Sequence, residues 1–231
     1  MASGINDAVV NIHHFADKIE DWAAGQDWIQ LCGEDGLCKD GSDASTMRIS
    51  FSDERAQLLE TGGAVLHARR FLEGCGHFLI HNVDILSDLD IRWFESCVKE
   101  EALATLLVSE RKTSRYLLFD PATMLLKGWT NINTGEVRSP YPDLDPERCL
   151  KLAFSGIHIL SDKVFDVLES YARSKGLYEE SDTPRFPIMD FYLTLCAEYK
   201  IYGVKAEALH LVDVGKLDTI EVAEREILRL T

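Results

Sequence analysis

His77-Phe78-Leu79-Ile80-His81-Asn82-Val83-Asp84 is the stretch on which the reading of this chain turns. Three successive apolar residues, Phe78 to Ile80, suit a strand covered on both faces, as in the middle of a parallel sheet. The strand runs directly into Asn82, Val83 and Asp84. A carboxylate at that point is costly unless water or a cation meets it. Open α/β sheets bind ligands beyond the carboxyl ends of their strands. The stretch therefore predicts a sheet layer and the edge at which that layer works.

Toward the N-terminus, Ala8-Val9-Val10-Asn11-Ile12 predicts a strand over Asp7–His13, and Phe15, Ile19 and Trp22 fall on one face of a following helix. Residues 25–46 are polar and glycine-rich and read as a surface insertion, with Trp28 to Leu31 the segment apolar enough for a short strand. Met47–Ser52 predicts another strand, and Thr61-Gly62-Gly63-Ala64 opens a helix reaching about Leu72. Toward the C-terminus come a helix over Ile91–Glu100, a strand over Ala104–Ser109, and a hairpin from Tyr116–Asp120 and Leu125–Trp129. A strand over Leu152–Leu160 precedes a helix capped by Ser161. A helix follows Pro187, then strands over Ile201–Ala206 and Leu209–Val214, and a terminal helix from Lys216. Strands alternating with helices predict an α/β, Rossmann-like doubly wound sheet with a mixed, partly antiparallel edge, in a single domain over residues 1–231.

Composition narrows the function. The formal net charge is −15 and the sequence pI about 4.8. Such a field repels phosphate backbones, so no nucleic-acid partner is expected, although a divalent cation can still bring one nucleotide to carboxylates. No apolar run reaches the ~20 residues of a membrane span and no signal-peptide pattern opens the chain, so no membrane partner and a cytoplasmic location are expected. Six cysteines, at 32, 38, 75, 97, 149 and 196, form no Cys-x-x-Cys pair. They read as free thiols of a reducing compartment, Cys32 and Cys38 included, and not as a zinc site. Arg69-Arg70 and Arg111-Lys112 read as solvated charges, with phosphate contact the other reading.

Three motifs fall at strand ends. Glu60-Thr61-Gly62-Gly63-Ala64 places a glycine pair at a helix start, suited either to a tight turn or to close approach of a flat or anionic ligand. Asp84 and Asp213 each follow an apolar strand, and each reads as a turn or cap residue or as a ligand. Two carboxylates on one sheet edge would suit Mg2+, which takes one or two carboxylates plus substrate phosphates.

Together these segments resemble the sugar-phosphate nucleotidyltransferases in order along nearly the whole chain. Ala2-Ser3-Gly4-Ile5 with Val9-Val10-Asn11 looks like that family's second strand and its approach. Leu59-Glu60-Thr61-Gly62-Gly63 looks like its base-recognition loop and is most similar to the branch of the N-acetylmuramate 1-phosphate uridylyltransferases and mannose-1-phosphate guanylyltransferase-like proteins. Phe78 to Asp84 looks like its metal-aspartate strand, Phe154-Ser155-Gly156-Ile157-His158 like its sugar-site strand, and Leu211-Val212-Asp213-Val214-Gly215 like the segment of its second metal aspartate.

The resemblance implies transfer of a nucleoside monophosphate from a nucleoside triphosphate to a sugar 1-phosphate, with release of pyrophosphate. It assigns Mg2+ to Asp84 and Asp213 as the catalytic pair, the nucleotide to Glu60, Thr61, Gly62, Gly63 and Asn82, and the sugar to Gly128 and Gly156. Two departures accompany it. Val83 stands where the family has glycine, and the glycine-rich Gly-x-Gly-Thr-Arg-x-Arg-Pro segment is absent from residues 1–231. The resemblance thus implies a missing first β-loop-α unit, impaired turnover, and an exposed strand edge at Asp7–His13 open to pairing with another copy. The alternative it leaves is a non-catalytic module that binds a nucleotide sugar or a protein.

Overall fold

The computed structural model describes residues 4–33, 46–178, 182–207 and 209–215. In chain order its elements are β1 (Asp7–Ile12), α1 (Ala16–Ala24), β2 (Ile29–Leu31), β3 (Met47–Asp53), α2 (Glu60–His67), α3 (Arg69–Leu72), β4 (His77–His81), β5 (Ile85–Ser87) and α4 (Ile91–Ser96). There follow β6 (Ala104–Ser109), β7 (Arg115–Phe119), β8 (Leu126–Asn131), β9 (Glu136–Arg138), β10 (Leu150–Ser161), α5 (Val164–Ser174), α6 (Ile188–Leu195), β11 (Ile201–Lys205) and β12 (Leu211–Asp213). The chain forms two compact units, Met1–Gly76 with Asp162–Phe191, and His77–Ser161 with Tyr192–Thr231.

In the first unit β3 lies between β1 and β2 and is parallel to both, with Asp7 opposite Arg48 and Ile29 opposite Met47. This parallel layer is the α/β arrangement that the alternating pattern predicts. The end of β3 is fixed by Glu54, which is buried. Its carboxylate accepts hydrogen bonds from Asn11 Nδ2 at 2.7 Å and from the Leu59 amide at 3.0 Å. A buried carboxylate with two such donors costs far less than an unpaired one. It ties β1 to the turn that opens α2. Farther along, the Tyr171 ring of α5 meets Phe186 and Phe191 at centroid distances of 5.3 and 5.5 Å.

Helix α1 corrects one expectation. It buries Ala16 and Ala23, while Phe15 is 73% and Trp22 57% exposed. Phe15 lies just before the helix with φ 57°, which turns its ring away from the frame that the spacing assumed. Lys18 Nζ covers that ring at 4.9 Å, and Trp22 meets Trp28 edge-on at 6.1 Å.

The second unit is built on a seven-stranded sheet in the order β11-β6-β10-β7-β8-β9, with β4 also paired to β10. Long β10 serves three neighbours, all antiparallel: β7 along Leu150–Leu152, then β6, then β4 along Ile157–Ser161. Strand β11 runs parallel to β6. Phe94, Leu107, Ile157 and Ile159 form a buried cluster, with Leu79, Ile85 and Val204 packed against it. The sheet is mixed, as expected, but β4 is antiparallel to its partner and has no second neighbour among the described residues. Apolar composition reports how deeply a strand is covered, not the direction of the strand beside it.

Other expectations meet the structure differently. Ser161 is the last residue of β10, and Lys163 precedes α5. The strand runs one residue farther at this end than its hydrophobic pattern indicates, and starts two residues earlier. Cys32 is disulfide-bonded, which corrects the free thiol expected there; Cys75, Cys97, Cys149 and Cys196 form no disulfide. Composition indicates a compartment, whereas oxidation depends on a local pairing geometry that spacing does not reveal. Most of the 25–46 insertion and the terminal helix from Lys216 lie outside the described residues, although β2 confirms a strand inside the former. No described helix is long and apolar enough to cross a membrane.

His158 on β10 makes the second unit sensitive to acid. It is buried, with Nδ1 2.8 Å from Tyr192 Oη, and desolvation holds its pKa at about 3 against an ordinary 6.5. The unfolded chain takes up a proton near pH 6.5 that the folded chain refuses until about pH 3. Between those values the unfolded state binds more protons, so this contribution to stability is lost as pH falls. The thermal unfolding midpoint is expected to drop more steeply across this window than in a His158→Gln variant. Parallel pH profiles for the two proteins would show that the residue is not the source.

Candidate functional site

Asp84 and Asp213 are brought together by a two-stranded ladder. Strand β5 begins at Ile85, directly after Asp84, and pairs antiparallel with β12 so that Ile85 faces Asp213. The Val214 amide donates to the Asp84 carbonyl at 2.7 Å, and the Gly215 amide to Asp213 Oδ1 at 3.0 Å. Both carboxylates lean over Gly215. A Cβ built there would lie 2.9 Å from Asp84 Oδ2 and 3.3 Å from Asp213 Oδ1. The two oxygens are therefore no more than about 6 Å apart, near the ~4 Å that separates oxygens on opposite sides of a bound Mg2+. No cluster of three or more His, Cys, Asp or Glu side chains suited to a metal occurs among the described residues. The two carboxylates that meet here are a number at which Mg2+ would still have room for phosphate oxygens and water.

Asn82 and Gly156 join this edge. The Asn82 amide donates to the Gly156 carbonyl at 3.1 Å. A Cβ on Gly156 would lie 3.1 Å from Asn82 Nδ2 and 3.4 Å from Ile85. Gly156 has φ +76°, a backbone state that glycine adopts without strain. Val83, between Asn82 and Asp84, is 92% exposed. Asn82, Asp84, Gly156 and Asp213, drawn from three motifs, thus occupy one edge of the second unit.

The remaining residues lie elsewhere. Gly128 sits within β8, where a Cβ would meet the Arg138 carbonyl at 2.6 Å, so a close backbone crossing accounts for it. Glu60, Thr61, Gly62 and Gly63 form the first turn of α2 in the first unit. Gly62 and Gly63 are buried, and both amides donate to the Phe186 carbonyl, at 2.8 and 3.2 Å. A Cβ on Gly62 would lie 2.4 Å from the Phe186 ring, and one on Gly63 would lie 2.2 Å from the Pro184 carbonyl oxygen. The close approach these glycines allow is to their own chain. Thr61 Oγ1 accepts from the Ile188 amide at 2.9 Å, while Arg185 grips the Glu60 carboxylate through Nε at 3.0 Å and Nη2 at 2.9 Å.

Sequence reasoning gave no role of its own to Gly215, quoted within the Leu211–Gly215 motif, and weighed Arg111 as a solvated charge or a phosphate contact. Gly215 is the position on which the two carboxylates converge; a glycine two residues after a strand-end aspartate was its only signal. Arg111 donates from Nη2 to the Phe154 carbonyl at 3.1 Å, two residues before Gly156. Its place in a charged loop gave no hint of that contact.

No protein-family model matches the chain. An N-acetylmuramate alpha-1-phosphate uridylyltransferase of Caulobacter vibrioides is 27% identical over 217 residues, covering 90% of this chain and 73% of that protein. Among solved structures, the inositol-1-phosphate CTP transferase from T. maritima aligns with a TM-score of 0.63 at 11% identity, over 100% of this chain and 78% of that one. An apo UDP-glucose pyrophosphorylase aligns with a TM-score of 0.64 at 12% identity, over 99% of this chain and 84% of that one. The chain is a homologue of a sugar-phosphate uridylyltransferase and has the fold of the sugar-phosphate nucleotidyltransferases.

Proposed function

We propose that the protein transfers a nucleoside monophosphate from a nucleoside triphosphate to a sugar 1-phosphate. The observation that carries this reading is the convergence of Asp84 and Asp213 over Gly215, at the ends of two apolar strands. In the reaction a phosphate oxygen of the sugar 1-phosphate attacks the α-phosphorus, its bond to the bridging oxygen breaks, and pyrophosphate leaves with that electron pair. The nucleophile is already an anion, so no protein base is required. What the chain must supply is alignment and charge compensation.

Asp84 and Asp213 are the residues that would hold Mg2+. When bound, the cation neutralises charge on the phosphoryl oxygens. Asn82, fixed by Gly156, supports the nucleotide, and Gly156 leaves room beside it for the sugar. In the first unit the amides of Gly62 and Gly63 are taken by Phe186, so Glu60 and the exposed Thr61 are the groups assigned to the base. The uridylyl specificity of the Caulobacter relative makes a uridine nucleotide the first to try.

Residues 1–231 contain no Gly-x-Gly-Thr-Arg segment. A triphosphate brings about four negative charges to a chain already at −15. The polypeptide assayed by itself is therefore expected to bind a nucleotide sugar in the presence of Mg2+ but to release pyrophosphate slowly. Calorimetry with UDP-glucose and a pyrophosphate-release assay with UTP and a panel of sugar 1-phosphates test both halves. Rapid turnover would mean that another part of this chain grips the triphosphate. Binding with no transfer would favour a nucleotide-sugar-binding module, and neither binding nor transfer would overturn the reading.

A further inference from the structure

We propose that the Tyr192–His158 hydrogen bond is a positioning device for the bulge of β10 that carries Gly156, and so sets how tightly a ligand binds beside Asn82. The ligand half of this statement rests on the function proposed above; the positioning half rests on geometry alone.

The bulge is visible in the register. Between β10 and β6, Phe154 faces Val108 and His158 faces Leu106, so four steps on one strand oppose two on the other. Residues 155 to 157 are thus released from the regular ladder with β6, and Gly156 takes φ +76° among them. Bulges re-aim the chain at working edges of sheets, and the ladder they interrupt cannot hold them. Their shape has to come from elsewhere.

Inside the bulge Ile157 is paired with His81 of β4 on the other edge, and the two residues before it have less to hold them. The Ser155 hydroxyl is buried and has no hydrogen-bond partner. Gly156 has no side chain, and its carbonyl accepts the Asn82 amide, the group to be positioned. The other fixed points are at the two ends. Arg111 Nη2 donates to the Phe154 carbonyl at 3.1 Å on one side. On the other, His158 Nδ1 and Tyr192 Oη are 2.8 Å apart, both residues buried. The Phe154 and His158 rings lie 5.4 Å apart and link the two ends. Tyr192 is on α6, so this bond fastens the far end of the bulge to a helix outside the sheet. Burial keeps the imidazole neutral and raises the phenol pKa well above 10, so the pair stays a neutral hydrogen bond at every working pH.

Tyr192→Phe removes one oxygen atom and keeps the ring. Hydrogen exchange at the Asn82 amide, which reports its bond to Gly156, is expected to accelerate about tenfold, because the local opening that frees it becomes easier. Tyr178→Phe, which removes the Tyr178–Glu169 hydrogen bond in the first unit, is expected to leave that amide unchanged. His158→Gln, whose amide can still meet the Tyr192 hydroxyl, is expected to stay near the wild-type rate. If the bond served general stability alone, the Asn82 amide would follow the global unfolding rate in all three variants. UDP-glucose with Mg2+ is the binding probe, and Tyr192→Phe is expected to weaken it about tenfold, the same loss of order expressed in affinity. Unchanged exchange at Asn82 in Tyr192→Phe overturns the proposal, as does unchanged UDP-glucose affinity where the wild-type protein binds it. If the wild-type protein does not bind UDP-glucose, the functional reading is what has failed, and the exchange rates still decide the positioning role.

Discussion

Asp84→Asn is expected to abolish the Mg2+-dependent part of nucleotide-sugar binding and to lower any pyrophosphate release by about 10²–10³-fold, the cost typical of removing one electrostatic contact to a reacting phosphoryl or acyl group. The change keeps the shape of the side chain and the 2.7 Å bond from Val214 to the Asp84 carbonyl, so the fold should be unaffected. It removes half of the negative charge that converges over Gly215. Gly215→Ala tests the same arrangement by shape. Its methyl would lie 2.9 Å from Asp84 Oδ2, a contact that has to push the carboxylates apart. A smaller loss of metal-dependent binding is expected there, with both carboxylates still present. Calorimetric titration of nucleotide sugar with and without Mg2+ measures both variants. A metal-dependent increment that survives in Asp84→Asn would remove Asp84 from the site.

Gly63→Ala should be the most damaging change of a single methyl in the first unit. Helix propensity by itself favours alanine by about 1 kcal/mol. Packing opposes it, because the new Cβ would lie 2.2 Å from the Pro184 carbonyl oxygen and 3.1 Å from Leu59 Cβ. The nearer obstacle is backbone, and it cannot rotate aside. Overpacking of this kind costs about 3 kcal/mol or more, so the net effect is destabilising. A fall of the unfolding midpoint by ~5–10 °C corresponds to that loss in a chain of this size. Thermal unfolding followed by circular dichroism would detect it. A midpoint equal to that of wild type would show that Pro184 is not held where the structure places it.

The elements most legible in the sequence are those whose side chains repeat. Ala104–Ser109 and Ile201–Lys205 are apolar runs, and both are strands. Asp84 and Asp213 stood out because a carboxylate directly after an apolar strand needs a reason. Their mutual distance was not legible, since it is set by the β5–β12 ladder, and each of those strands has only three residues. The direction of β4 was hidden for a related reason: its partner β10 lies some eighty residues away, and an apolar strand looks alike in either direction. The glycine pair at 62–63 showed that something approaches the backbone. It could not show that Phe186 and Pro184 are what approach, more than 120 residues along the chain. Alanines 16 and 23 were passed over because hydrophobic spacing weights large side chains, whereas α1 docks by its small ones.

Strand β1 has consequences for how the protein keeps in solution. It pairs with β3 and has no second strand neighbour among the described residues, so it stands at the edge of that described sheet. Its central residues, Ala8-Val9-Val10-Asn11, carry no charge, and nothing in them repels a visiting strand. What holds two molecules apart is the long-range field of fifteen surplus negative charges. That field reaches ~30 Å at 0.01 M salt but only ~8 Å at 0.15 M. Shelf life and salt are therefore expected to be opposed in this molecule: light scattering should show it better dispersed in a dilute buffer than at physiological ionic strength.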